Sequence, residues 1–171
     1  HEKYPYLLGD INVIKKDQAW CADITYIMMK PGFMYLVAIM DCYSRYILSW
    51  KLSPFLDASF CNESLHDALK ISTCDIFNTD QGVQFTAIAF TSVLENAGVR
   101  ISMDGRGRAL DNIFVERLWR SVKYEDIYLK HYASVPALDT GLTDYFRLYN
   151  FERPHQSLNY RLPAEVYHHG A

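Results

Sequence analysis

The stretch "WCADITYIMMKPGFMYLVAIMDCYSRYILSWKLS", residues 20–53, decides the fold. It divides into three runs rich in β-branched and aromatic residues, Trp20 to Met29, Met34 to Ser44 and Arg45 to Ser53. Pro31-Gly32 supplies a turn between the first two. Three successive strands with short connections make an antiparallel meander. One residue fits that reading poorly. Asp23 sits between Ala22 and Ile24, where a strand wants a hydrophobe, and a buried carboxylate is costly unless paired or metal-bound.

Downstream the period changes. Phe60, Leu65, Ala68 and Leu69 fall at helical spacing over residues 57–71, with Asp57 as the N-cap. "CDIFNTD", residues 74–80, reads as a short buried strand ending in polar residues. Residues 85–97 read as a helix closed by Gly98, and "VRISM", residues 99–103, as a fifth strand. A glycine-containing loop over 104–108 precedes a long helix from about Asp111 to Tyr128. A last helix spans Ser134 to Tyr149, and the tail is irregular until about Pro163. Strands that first form a meander and then alternate with helices predict an α/β fold. It has a mixed five-stranded sheet with helices on both faces. Such sheets carry ligand sites at strand carboxyl ends.

Composition sets the outer bounds. The chain has 171 residues, enough for about one domain, and half of them are hydrophobic, which excludes a disordered chain. No apolar run approaches the ~20 residues of a membrane span, and no signal peptide opens the sequence. The expectation is a protein with no membrane partner, in the cytoplasm. Cys21, Cys42, Cys61 and Cys74 show no metal-binding spacing, so reduced, mostly buried thiols are expected. Net charge is −3, but residues 99–131 hold seven basic against five acidic side chains, a local +2 on an otherwise acidic body.

Two further acids stand out beside Asp23. Asp80 closes the strand in "NTDQG", and Glu116 lies in "GRGRALDNIFVERLWRSVKYE", residues 105–125, among basic residues. At helical spacing Asn112, Glu116, Arg120 and Lys123 share one face, while Leu110, Ile113, Phe114, Leu118, Trp119 and Val122 supply the core face. Asp23 and Asp80 are 57 positions apart, and Asp80 and Glu116 are 36 apart. Three such acids suit phosphoryl transfer by two divalent ions, with one carboxylate shared between them. Simpler roles compete: a strand-edge ion pair for Asp23, a turn cap for Asp80 and an i,i+4 pair with Arg120 for Glu116.

"DITYI", "MYLVAIMDCYSRYILSW", "NTDQGVQF", "ISMDGRGRALDNIFVERLWRSVKYE" and "YNFERPHQSLNYRLPAEV" together resemble the integrase catalytic core of bacterial insertion-sequence transposases. That is the DDE family, similar in fold to ribonuclease H and retroviral integrases. The likeness runs from about Trp20 to Tyr167, with five motifs in order. It implies that Asp23, Asp80 and Glu116 are catalytic and bind two Mg²⁺, with Mn²⁺ able to substitute. It also implies DNA partners, both transposon ends and target, and a homo-oligomer of at least two copies in the bacterial cytoplasm, associated with the nucleoid. Lys123 matches the basic residue the family places near terminal base pairs. Arg120, Arg106 and Arg108 are further candidates for DNA contact, or simply solvated cations. Asn78-Thr79 stands where the family usually has a His-Ser or similar pair.

The domain organisation expected from this likeness has three parts. Residues 1–18 form an N-terminal extension or linker from a missing upstream DNA-binding region, 19–150 the catalytic core, and 151–171 a tail packed on it. Asn150, Arg153 and His155 are expected to cap a helix end and anchor that tail. Two alternatives of the same fold stay open. One is a nuclease that hydrolyses without joining. The other is an inactive or domesticated DNA-binding or assembly module.

Overall fold

Three strands open the fold, as the alternation over residues 20–53 predicts. The computed structural model describes residues 4–30, 32–105 and 113–170. It places β1 at Ala19–Met29, β2 at Gly32–Asp41 and β3 at Ile47–Ser53. β1 pairs antiparallel with β2, from Trp20 against Asp41 to Met29 against Gly32, and β2 pairs antiparallel with β3. The chain then crosses through α1 (Ala58–Ile71) to β4 (Ile76–Thr79). It returns through α2 (Val83–Thr86) and α3 (Ile88–Asn96) to β5 (Arg100–Met103). β4 joins β1 in parallel and β5 joins β4 in parallel, giving the order β3-β2-β1-β4-β5. α4 (Ile113–Val122) runs into a π-helical turn, Lys123–Ile127, and then α5 (Tyr128–Lys130). α6 (Val135–Phe151), a 3-10 turn at Gln156–Leu158 and α7 (Pro163–His169) follow.

The period of two along the central strands builds two cores, one on each face. Trp20, Ala22, Val37, Ile39 and Phe77 meet Phe60 and Leu65 of α1 and Phe90 and Leu94 of α3. Ala19, Cys21, Leu36, Ala38 and Met40 meet Val115, Leu118 and Val122 of α4 and Leu142 and Phe146 of α6. Helices therefore cover both faces, as expected. Among the described residues no helix is long and apolar enough to cross a membrane.

The local signals act as their chemistry requires. The Asp57 carboxylate accepts from the Ser59 backbone N–H and caps α1. Gly98 leaves α3 with φ of 73°, the left-handed exit for which glycine is preferred. The helix expected over 85–97 is instead broken into α2 and α3 by extended backbone at Ala87. The start of the long helix at Asp111, and Leu110 and Asn112 beside it, lie outside the described residues.

The cysteine expectation needs correction. Cys21 and Cys42 are joined in a disulfide, while Cys61 and Cys74 are free and buried. The hairpin register is the reason. Cys42 donates its backbone N–H to the Ala19 carbonyl, which puts it diagonal to Cys21 on the same face, with Cα atoms 6.3 Å apart.

The first and last described segments are tied to the core. Leu7, Leu8, Ile11 and Val13 pack against the core beneath α4 and α6. Asp17 accepts from Trp20 Nε1, Ser72 Oγ and Tyr167 Oη, binding the first segment to α1 and α7. The Asn150 side chain pairs both ways with the Ile47 backbone, at 2.9 and 3.0 Å, and so acts as a partner for the edge strand. Arg153 forks onto Glu125 with two bonds of 2.8 Å and clamps the π-helical turn from the tail. His155 packs on Tyr149 at 4.6 Å, and burial beside Arg153 and Arg45 lowers its imidazole to about 4. Asn150, Arg153 and His155 thus serve as anchors.

Candidate active site

Asp23 and Asp80 meet because of strand register. β1 and β4 pair as Ala19 with Ile76, Trp20 with Phe77 and Cys21 with Asn78. Each pair is 57 positions apart, which is also the separation of Asp23 and Asp80. The ladder stops at Cys21 and Asn78, and the two acids follow in register just beyond it, at the carboxyl end of β4. Neighbouring strands lie about 4.8 Å apart, so two carboxylates in that relation feel each other directly. A spacing that looked arbitrary in the sequence is the register offset of a parallel strand pair.

Their electrostatics follow from this placement. Burial first, and the charge of Asp80 second, push the Asp23 carboxyl from 3.8 up to about 7. The backbone N–H of Ile24 and the indole N–H of Trp119 pull the other way without restoring it. No ion pair links either acid to a lysine, arginine or histidine among the described residues. Asp80 is held from the other side, where its Oδ1 accepts from the Gly82 backbone N–H at 2.8 Å. The turn-cap role is therefore real and coexists with the approach to Asp23. A Cβ on residue 82 would stand 2.8 Å from that same oxygen, so only glycine leaves Asp80 where it is.

Glu116 lies in the first turn of α4, exposed, with no hydrogen bond or ion pair to any described residue. The pair with Arg120 does not form; Arg120 instead stands over the Tyr124 ring at 5.4 Å. The helix is docked to the acids by another residue. Trp119, one turn beyond Glu116, donates Nε1–H to Asp23 Oδ2 at 3.2 Å. Sequence reasoning placed Trp119 in the core, where it is, and overlooked its N–H. The available signal was that a buried indole needs an acceptor. Val115 also joins that core face, whereas Ile113 and Phe114 are only half-buried.

The two aspartates form an all-oxygen cradle with no cation paired to them among the described residues, the donor chemistry a hard divalent ion takes. Among the described residues no three His, Cys, Asp or Glu side chains converge closely enough to hold one metal ion, so Glu116 stands outside the aspartate pair. Lys123 begins the π-helical turn, half-buried, with its ammonium 5.5 Å from the Tyr26 ring and its pKa lowered by burial. Lys123 and Arg120 thus flank the helix that carries Glu116. Arg106 and Arg108 lie outside the described residues.

Comparison with known proteins bears on the family and the fold. A family model described as integrase core domain matches residues 15–109, and a second of the same description matches 97–163. The transposase for insertion sequence element IS629 of Shigella sonnei is 28% identical over 154 residues, covering 89% of this chain and 52% of that protein. Transposase InsF for insertion sequence IS3A of Escherichia coli (strain K12) is 32% identical over 143 residues, covering 81% and 50%. The chain spans about half the length of the curated relatives it matches. In fold it is similar to the HTLV-2 integrase catalytic core domain in complex with magnesium. The TM-score there is 0.73 at 17% identity, over 90% of this chain and 97% of that one. Similarity also extends to the simian T-cell lymphotropic virus intasome in complex with PP2A regulatory subunit B56 gamma. That match has a TM-score of 0.80 at 19% identity, over 98% and 60%. The mixed sheet with helices on both faces is thus the ribonuclease H-like fold of these cores.

Proposed function

The chain belongs to the integrase core domain family, and on that premise we propose that it is the catalytic core of an enzyme that cuts and joins DNA. In this reading Asp23, Asp80 and Glu116 would hold the divalent ions, Mg²⁺ or Mn²⁺, that the reaction uses. The observation that carries it is the in-register meeting of Asp23 and Asp80 at the carboxyl end of β4, with no cation paired to them among the described residues. The chemistry that bound divalent ions supply is activation of an attacking water or DNA 3′-hydroxyl and stabilisation of the leaving oxygen.

The chain's own residues prepare that chemistry. Trp119 orients one oxygen of Asp23, and the Gly82 N–H orients Asp80. Glu116, free of described partners, joins the set without breaking an existing contact. Lys123 and Arg120, with Arg106 and Arg108, neutralise backbone phosphates, a contribution to affinity that carries no base sequence. The substrates in this reading are transposon ends and target DNA, bound by two or more copies of the chain.

The test is an Mn²⁺ assay with oligonucleotides ending in a free 3′-hydroxyl and a plasmid target, scored for nicks and for joined products. Nicks and joined products are expected from the wild type, and neither from Asp23→Asn or Glu116→Gln. Undiminished activity in either variant refutes the assignment. Nicks without joined products would identify a nuclease instead.

A further inference from the structure

The disulfide between β1 and β2 is not sealed inside the core. Cys21 and Cys42 stand in the wall of a cavity of about 950 Å³, within the size range of small-molecule sites. Leu8, Ile11 and Val13 of the first described segment, Leu158 of the 3-10 turn, and Ile113 and Phe114 of α4 give it an apolar lining. The two cysteines are only 2% and 3% exposed, so a solute that reaches the sulfurs does so through this cavity.

Its charge is one-sided. Arg45 and Arg161 line it, and among the described residues no carboxylate does, although the chain holds 20 Asp and Glu. Neither arginine is ion-paired to a described residue. Arg45 is fixed beside the disulfide, where its guanidinium donates to the Cys42 carbonyl and lies over the Phe114 ring at 3.6 Å. Burial lowers its pKa, as expected of a cation drawn out of water without an acid to pair with. Two such guanidiniums beside an apolar wall suit a small molecule with an acidic group and a short body. The disulfide in the same wall narrows its chemistry to a thiol.

We propose that this cavity is a thiol–disulfide exchange site for a low-molecular-weight thiol that carries an acidic group. The thiol reacts as its thiolate, the form that the arginines also favour. Its sulfur attacks Sγ of Cys42, the cysteine beside Arg45, and forms a mixed disulfide as the Cys21–Cys42 bond breaks. Cys21 leaves as a thiolate and takes up the proton that the entering thiol gave to water. One disulfide is exchanged for another, so no outside oxidant is needed. The acidic group of the adduct pairs with Arg161, and its body lies against Phe114, two residues before Glu116 on α4. Renewed attack by Cys21 expels the thiol and restores the bond. The site stands whether or not the chain joins DNA.

The test uses the folded chain, purified without reductant and treated with 2-mercaptoethanesulfonate, 2-mercaptoethanol or cysteamine at equal thiolate concentration. Early samples are quenched in acid, alkylated and read by mass spectrometry of the intact chain and its peptides. The anionic thiol should open the bond about tenfold faster than the cationic one, leaving an adduct on Cys42 and an alkylated Cys21. Arg161→Gln, or about 1 M salt with the wild type, should bring the rates within about threefold of one another. The Arg161 side chain is held in the fold by a 3.3 Å bond to the Gly170 carbonyl at the chain's surface, so the variant should fold, and the salt arm does not depend on it. Free thiols on Cys21 and Cys42 in the untreated chain, or a bond that opens only in urea, overturn the site. Equal rates for the three thiols overturn the acidic class of ligand. An adduct on Cys21 overturns the direction of attack.

Discussion

Replacing Asp23 by Asn should stabilise the metal-free protein while abolishing its proposed chemistry. Burial and the Asp80 charge raise the Asp23 carboxyl from 3.8 to about 7, a displacement of roughly three pH units. At about 1.4 kcal/mol per unit, about 4 kcal/mol opposes folding once Asp23 is ionised. Asn removes the charge and keeps an oxygen for Trp119, so the expected gain is about 2–4 kcal/mol after the cost of burying its amide. The sign with pH follows from proton counting. Between about 4 and 7 the folded chain binds the Asp23 proton that the unfolded chain has lost, so wild-type stability falls through that window and levels off above it. The variant lacks this contribution. The gap between them should be near zero at pH 4 and largest at pH 8, measured by urea denaturation with chelator. Adding Mg²⁺ should then stabilise the wild type and not the variant. A variant no more stable than wild type at pH 8, or an advantage undiminished at pH 4, would refute the reasoning.

Three other substitutions test neighbouring links. Trp119→Phe keeps the packing but removes the N–H that favours ionised Asp23, so the Asp23 titration should move further up, visible as an upward shift of the acidic limb of the pH–activity profile. Gly82→Ala forces the Asp80 carboxylate from its place at little cost to the fold, because the atom it meets is a side-chain end. Mg²⁺ affinity by calorimetry should fall on the order of tenfold, with thermal stability nearly unchanged. Asn150→Ala strips both bonds from the Ile47 backbone in a buried setting and should cost about 2–4 kcal/mol in urea denaturation, without altering metal affinity.

The strands of residues 20–53 were legible because alternation is a property of neighbouring residues, and so were the caps at Asp57 and Gly98. Asp23 and Asp80 were legible as misfits, since an acid at a strand position stands out against apolar neighbours. Their 57-residue spacing was not legible as evidence, because it acquires meaning only when β4 pairs beside β1. The Cys21–Cys42 link was read as two separate thiols for a similar reason. It depends on a hairpin register, and cysteine spacing does not encode one.

Local sequence by itself determined where the strands and most of the helices form and which acids had to be explained, though not the break at Ala87. Tertiary structure decided which acids meet. It set Asp23 against Asp80, gave Trp119 an acceptor, left Glu116 outside the pair and turned the tail residues Asn150 and Arg153 into clamps. The physical reason is range. Periodicity and capping act over a few bonds along the chain, whereas a carboxyl's proton affinity depends on burial and on charges that only the packed sheet brings near.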